Sequence, residues 1–214
     1  MVKKHYTSGE IYHELRRRIL TDRYFPGHKL SENTLAEEFD CSRTPIRESF
    51  KKLEGDGLLV VIPKSGTYVR NETEQDVIEM LQVRAYLESL AFRLAIRGIS
   101  TRAVNRIARL KREMDLTIST HPIDMMKYAA LHYDFHQAIV KASNNELLLH
   151  TFERLNLRYS HVFYRGIDDR AAHETQDEHA VILRFLKGRN PEGIDFMVTH
   201  LFNRLKRTHG WSEQ

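Results

Sequence analysis

The sequence predicts a mainly α-helical chain in two parts: a small helical unit closed by one β-hairpin over residues 1–70, and an all-α bundle of about six helices over residues 71–214. Three observations carry that division. Before Gly55 apolar residues recur at helical spacing, a short β-branched run then meets a Pro-Lys-Ser-Gly turn, and from Thr73 onward no alternating strand pattern appears.

The first helix is expected from about Ser8 to Tyr24, with Ile11, Leu15 and Ile19 sharing one face and Phe25-Pro26-Gly27 stopping it. A short second helix starts near Ser31, a good N-cap, and buries Leu35 and Phe39 one turn apart. Asp40 and Cys41 fill a tight turn before a third helix that begins at Ser42 or Thr44. Pro45 fits in its first turn, where amides have no intrahelical partner. Ile46, Phe50 and Leu53 form the buried stripe of this helix, while Arg43, Arg47 and Lys51 lie about 100° further round. After Gly55-Asp56-Gly57, Leu58 to Ile62 and Thr67 to Val69 read as strands, joined by Pro63-Lys64-Ser65-Gly66. Helix, turn, cationic helix and basic-tipped hairpin, in that order, make a winged helix-turn-helix.

Such a unit is shaped to read DNA. The major groove admits one helix, whose N-terminal residues reach base edges first, and Arg43 and Arg47 fall there. An arginine fork pairs bidentately with guanine, while the hydroxyls of Ser42 and Thr44 suit phosphate contacts that set register. At the hairpin tip, Gly66 lets the backbone approach a minor groove and Lys64 adds a cation. The charge balance agrees. Residues 1–70 hold 13 Lys/Arg against 10 Asp/Glu, and most of the net charge of +4 lies there.

The remaining helices are separated near Gly98-Ile99-Ser100, His121-Pro122, Ser143-Asn144, Gly166 to Asp169 and Gly188 to Pro191. Thr73 with Asp76 three residues on resembles a capping box. His132 and His136, four residues apart, sit about 40° apart on one helical face, a spacing that suits two ligands of one metal ion. His179 and His200 lie on later helices beside apolar residues. If those helices surround one cavity, four imidazoles converge, and neutral imidazole suits zinc, nickel, copper or iron.

The lone Cys41 excludes an intramolecular disulfide framework, and the N-terminal stretch lacks the apolar core of a secretory signal. No apolar run approaches the roughly 20 residues of a membrane span. A cytoplasmic protein with no membrane partner is expected.

The string from Leu30 to Val69 resembles the DNA-binding domain of the GntR family of bacterial transcription regulators. The matching residues are Pro26-Gly27, Leu30-Ser31-Glu32, Leu35-Ala36, Ser42 to Glu48, Leu53-Glu54, Gly57-Leu58, Pro63 and Gly66. The helical remainder is similar to the FCD effector domain of the FadR subfamily, through Val83-Arg84, Leu87-Glu88, Phe135-His136, Asn145, Glu178-His179 and Met197 to Leu201. These resemblances imply a homodimeric regulator, a repressor, on a palindromic double-stranded operator, with Arg43, Thr44, Arg47 and Gly66 at DNA-contacting positions. They also imply a divalent metal, zinc first and nickel or another transition metal second, on His132, His136, His179 and His200. The family's usual set is one aspartate and three histidines. Here His132 occupies the aspartate position, and Asp134, about 200° round the helix from it, cannot stand in.

In the resembled domain Arg84 faces the pocket, where a guanidinium beside a metal favours a small organic acid effector. The bland alternative is an i,i+4 pair with Glu88. Two competing functions remain open at this level: a purely structural metal or dimerisation domain, and a metalloenzyme fused to a DNA anchor. No HExxH motif and no evident general base support an enzyme.

Overall fold

The computed structural model describes residues 6–163 and 168–209, so Gly166 lies outside the described residues. The chain divides into two compact units, Met1–Thr73 and Glu74–Gln214. The first extends a little past the hairpin because the Arg70 amide still donates to the Leu58 carbonyl.

The first unit runs α1 (Ser8–Leu20), β1 (Lys29–Leu30), α2 (Glu32–Glu38), α3 (Arg43–Gly55), β2 (Leu59–Ile62) and β3 (Gly66–Val69). Thr7 and Glu10 close a reciprocal capping box on α1. The expected end of that helix at Tyr24 is corrected to Leu20. Asp22 takes a left-handed backbone (φ 54°), and the Tyr24 amide donates to Arg18, not to the residue a helix would choose. Ser31 caps α2 by accepting from the Thr34 amide. Ile11, Leu15, Ile19, Leu35, Phe39, Ile46, Phe50 and Leu53 bury together as the core. Ser49 Oγ stitches α3 to α1, donating within reach of both the Ser8 and Pro45 carbonyls at 2.7 and 2.8 Å.

The hairpin is part of a three-stranded antiparallel sheet of order β1-β3-β2. Lys29 pairs with Tyr68 and Val60 with Tyr68 on its other side. The strand β1 escapes sequence reading because two residues carry no alternation.

The second unit holds, among its described residues, helices and no strand: α4 (Glu74–Ala95), α5 (Thr101–Ile118), α6 (Met125–Ala142), α7 (Glu146–Phe163), α8 (Asp169–Gly188) and α9 (Glu192–His209). Ser100, Asp124 and Asp168 each cap the helix that follows with a side-chain oxygen. The α4 and α9 helices pack so closely that Gly193 has no room for a side chain: an added Cβ would lie 2.3 Å from Phe92 Cζ and 2.8 Å from Phe185 Cβ. Gly193→Ala is therefore expected to destabilise the unit by about 1–3 kcal/mol, read as a lower denaturation midpoint at unchanged m-value. Full stability would show that Phe92 swings aside freely.

Candidate functional site

In the first unit Ser42 is the N-cap of α3 but makes no side-chain cap bond, so its exposed hydroxyl is not spent on the helix. Arg43 and Thr44 follow in the first turn, exposed, and Arg47 lies one turn on. The Arg47 Nε donates to Glu32 Oε2 at 2.7 Å. Lys64 sits at the hairpin turn with φ 62°, also exposed. Gly66 is required by the wing itself. Its φ is +138°, and an added Cβ would meet Lys29 Cε at 2.8 Å.

In the second unit three helices supply one buried cluster of four histidines. His132 and His136 come from α6, His179 from α8 and His200 from α9, and one nitrogen of each lies within 4.8 Å of the others. None of the four rings is more than 2% exposed. The i,i+4 spacing places the two α6 rings 4.5 Å apart, and both helices α8 and α9 face them.

Acceptor oxygens behind the rings determine how the histidines present themselves. His136 Nδ1 is bonded to Glu88 of α4, and His200 Nδ1 lies 2.6 Å from Glu178 Oε2. His179 Nδ1 faces Gln176 Oε1 at 3.4 Å. A carboxylate or amide oxygen accepts, so the proton of each neutral ring is assigned to Nδ1 and the Nε2 lone pair points inward. The consequence is visible between His136 and His179, whose Nε2 atoms stand 3.2 Å apart. Two lone pairs at that distance repel unless a cation or a shared proton lies between them. The His200 Nε2 is buried without a hydrogen-bond partner, a cost that a metal bond would remove.

Burial favours the neutral form of His132, His136 and His179. Desolvation pushes His132 and His179 well below the usual imidazole range, with neighbouring positive groups adding to it. Burial also lowers His136, to about 4, against the pull of Glu88. The two carboxylates go the other way. Burial would raise Glu88, but the Arg84 guanidinium beside it holds it ionised, and Glu178 is held low against its burial by His200 and Arg207. A neutral imidazole backed by an ionised carboxylate, as at His136 and Glu88, is the protonation state metal ligation requires.

Residues 7–69 match the family described as bacterial regulatory proteins, gntR family, and residues 79–204 match the FCD domain. The chain belongs to the GntR family, with an FCD domain. The HTH-type transcriptional regulator YdhC of Bacillus subtilis is 29% identical over 91% of this chain and 87% of its own length. The HTH-type transcriptional repressor RspR of Escherichia coli is 27% identical over 89% and 83%. Among solved structures, a GntR transcriptional regulator of Rhodococcus sp. RHA1 superposes with a TM-score of 0.80 at 21% identity, covering 96% of this chain and 99% of that one. These families and relatives are transcription regulators, not enzymes. No helix among the described residues is long and apolar enough to cross a membrane.

For this GntR-family regulator, the residues expected from sequence group as follows. Ser42, Arg43, Thr44 and Arg47 share the N-terminal half of α3, Lys64 and Gly66 share the wing turn, and the four histidines form one cluster. Arg84 is 1% exposed, and its Nε edge is bonded to Glu88, so it stands behind His136 through that carboxylate. Sequence reading missed Glu88, Gln176 and Glu178 as the groups that orient the histidines, and Glu32 as the partner of Arg47. It also missed Arg204 of α9, 4% exposed, whose charge bears on His132 and His179.

Proposed function

We propose that this regulator is a repressor that binds a palindromic operator as a homodimer and senses a small carboxylate through a metal-bearing FCD domain. The observation that carries the metal is the convergence of four buried imidazoles, three of which, His136, His179 and His200, have an acceptor oxygen facing Nδ1 from behind and so turn their Nε2 lone pairs inward. His132, His136, His179 and His200 would hold a divalent ion, zinc by preference for a four-nitrogen set, with nickel or another transition metal able to replace it. When bound, the ion supplies positive charge and an expandable coordination shell for a carboxylate oxygen. Arg84 and Arg204, both buried near the cluster, add to the same positive field and favour an anionic effector over a neutral one.

The orienting carboxylates give a test that leaves the ligands in place. Glu88→Gln keeps the shape but weakens the acceptor behind His136, and metal affinity is expected to fall about 10- to 100-fold, measured by competition with a chelating dye. Unchanged affinity would remove Glu88 from the site.

Dimerisation is supported by an apolar stripe on α4. Val83, Tyr86 and Leu90, spaced three and four apart, are 52%, 64% and 43% exposed. Tyr86→Glu is expected to weaken self-association at least roughly 30-fold by sedimentation equilibrium. An unaltered dimer would move the interface elsewhere.

The regulatory reading itself is tested by titrating metal-loaded protein on its operator with mono- and dicarboxylic acids. An acid that changes operator affinity must in return be bound differently by the DNA complex. If metal raises the melting temperature but no acid changes it or the DNA affinity, the metal is structural.

A further inference from the structure

The α5–α6 side of the second unit holds a groove of about 910 Å³ that shares no residue with the histidine cluster. Arg102, Arg106, Arg109 and Arg112 of α5 line it with Lys141 of α6, and no Asp or Glu is among its described lining residues. All four arginines are exposed. Arg109 has Glu113 at 3.6 Å, and no other carboxylate is paired with the four among the described residues. At a rise of about 1.5 Å per residue the row spans about 15 Å in steps of about 6, 4.5 and 4.5 Å, all on one side of the helix.

An ordinary solvated helix face offsets its cations with acids one turn away. The C-terminal half of α5 does so, through Arg109 with Glu113 and Lys111 with Asp115. Its N-terminal half does not, and in the first turn the helix dipole adds positive potential to Arg102. Such uncompensated like charge destabilises the free protein and is relieved by a bound polyanion. The row is built of arginine alone, whose fork matches phosphate oxygens bidentately. Ile99, Ala138 and Ala142 line the same groove and offer an uncharged contact.

The geometry points to a second ligand site here, for a nucleoside polyphosphate or a similar small polyphosphorylated molecule. Its phosphates lie along Arg102, Arg106 and Arg109, and its uncharged part rests against Ile99, Ala138 and Ala142. A concave groove of this volume suits a small molecule better than the convex outside of a duplex.

The test is calorimetric titration of the full-length protein with ATP and with inorganic tripolyphosphate at about 150 mM salt. It compares wild type, the double variant Arg102→Ala/Arg106→Ala, and Lys127→Ala, an exposed control at the far end of α6 from Lys141. Saturable binding is expected, tighter for ATP, weakened at least about tenfold in the double variant and within about twofold of wild type in the control. The two arginines are exposed, so circular dichroism should show the fold retained. The site is overturned by absence of saturable binding of both probes, by binding unaffected in the double variant, or by equal loss in the control. If random-sequence duplex DNA binds in an Arg102- and Arg106-dependent way while neither small probe does, the partner is nucleic acid and the small-ligand site is overturned.

Discussion

Replacing both His136 and His179 with alanine is expected to take the bound metal from one ion per chain to near zero by elemental analysis, and with it the metal-dependent part of the protein's stability. The two residues supply the Nε2 atoms that face each other at 3.2 Å, and their removal leaves two of the four imidazole donors. A ligand present at 1,000 times its Kd stabilises the folded state by about 4 kcal/mol, which corresponds to roughly 8–16 °C in Tm for a chain of this size. Wild type should therefore melt in two positions, with and without added zinc, and the double variant in one. His132→Asp is the informative companion. It keeps a four-donor set and supplies the anionic ligand that the related domains carry, so metal content should stay near one per chain while ion preference moves toward harder ions. Unchanged stoichiometry in the double variant, with its fold intact, would sink the four-histidine assignment.

The positions of these histidines were legible in sequence, and the reason is local. The i,i+4 relation of His132 and His136 is fixed by helix geometry once α6 is recognised, and the apolar company of His179 and His200 marks both as inward. The groups behind them were not legible, because each acts on a residue far away along the chain. Glu88 has a local partner, Arg84, that accounts for it at i+4, and only packing of α4 on α6 brings its second oxygen to His136. Glu178 adjoins His179, yet neighbours on a helix point about 100° apart, and it serves His200 on α9 instead. The first unit divides the same way. The third helix, its proline and the wing turn are written in spacing and turn chemistry, whereas β1 is a strand only because β3 pairs with it, and the Glu32–Arg47 bond joins residues on separate helices.

That Glu32–Arg47 bond shapes the strongest expectation for the reading head. Arg43→Ala and Arg47→Ala should each cost about 1–3 kcal/mol per half-site, and in a symmetric dimer every substitution acts on both half-sites, so operator affinity should drop roughly 30-fold or more. The operator can be obtained by selection from random duplexes with the wild-type protein, and affinity read by fluorescence anisotropy. Loss of a base contact also relaxes discrimination at one position of each half-site. Lys64→Ala should instead weaken all sequences alike and lower the salt slope by about one per chain. Arg47 cannot grip Glu32 with its Nε and present its whole fork to guanine at once without sharing donors, but an ion pair this exposed, 56% on the arginine side, contributes at most about 1 kcal/mol. DNA can displace it cheaply. Glu32→Gln should accordingly leave operator affinity equal or up to about fivefold tighter, and Arg47→Ala should remain costly in that background. If Arg47→Ala proves neutral both alone and with Glu32→Gln, the arginine serves the α2–α3 contact and Arg43 is left to read the groove.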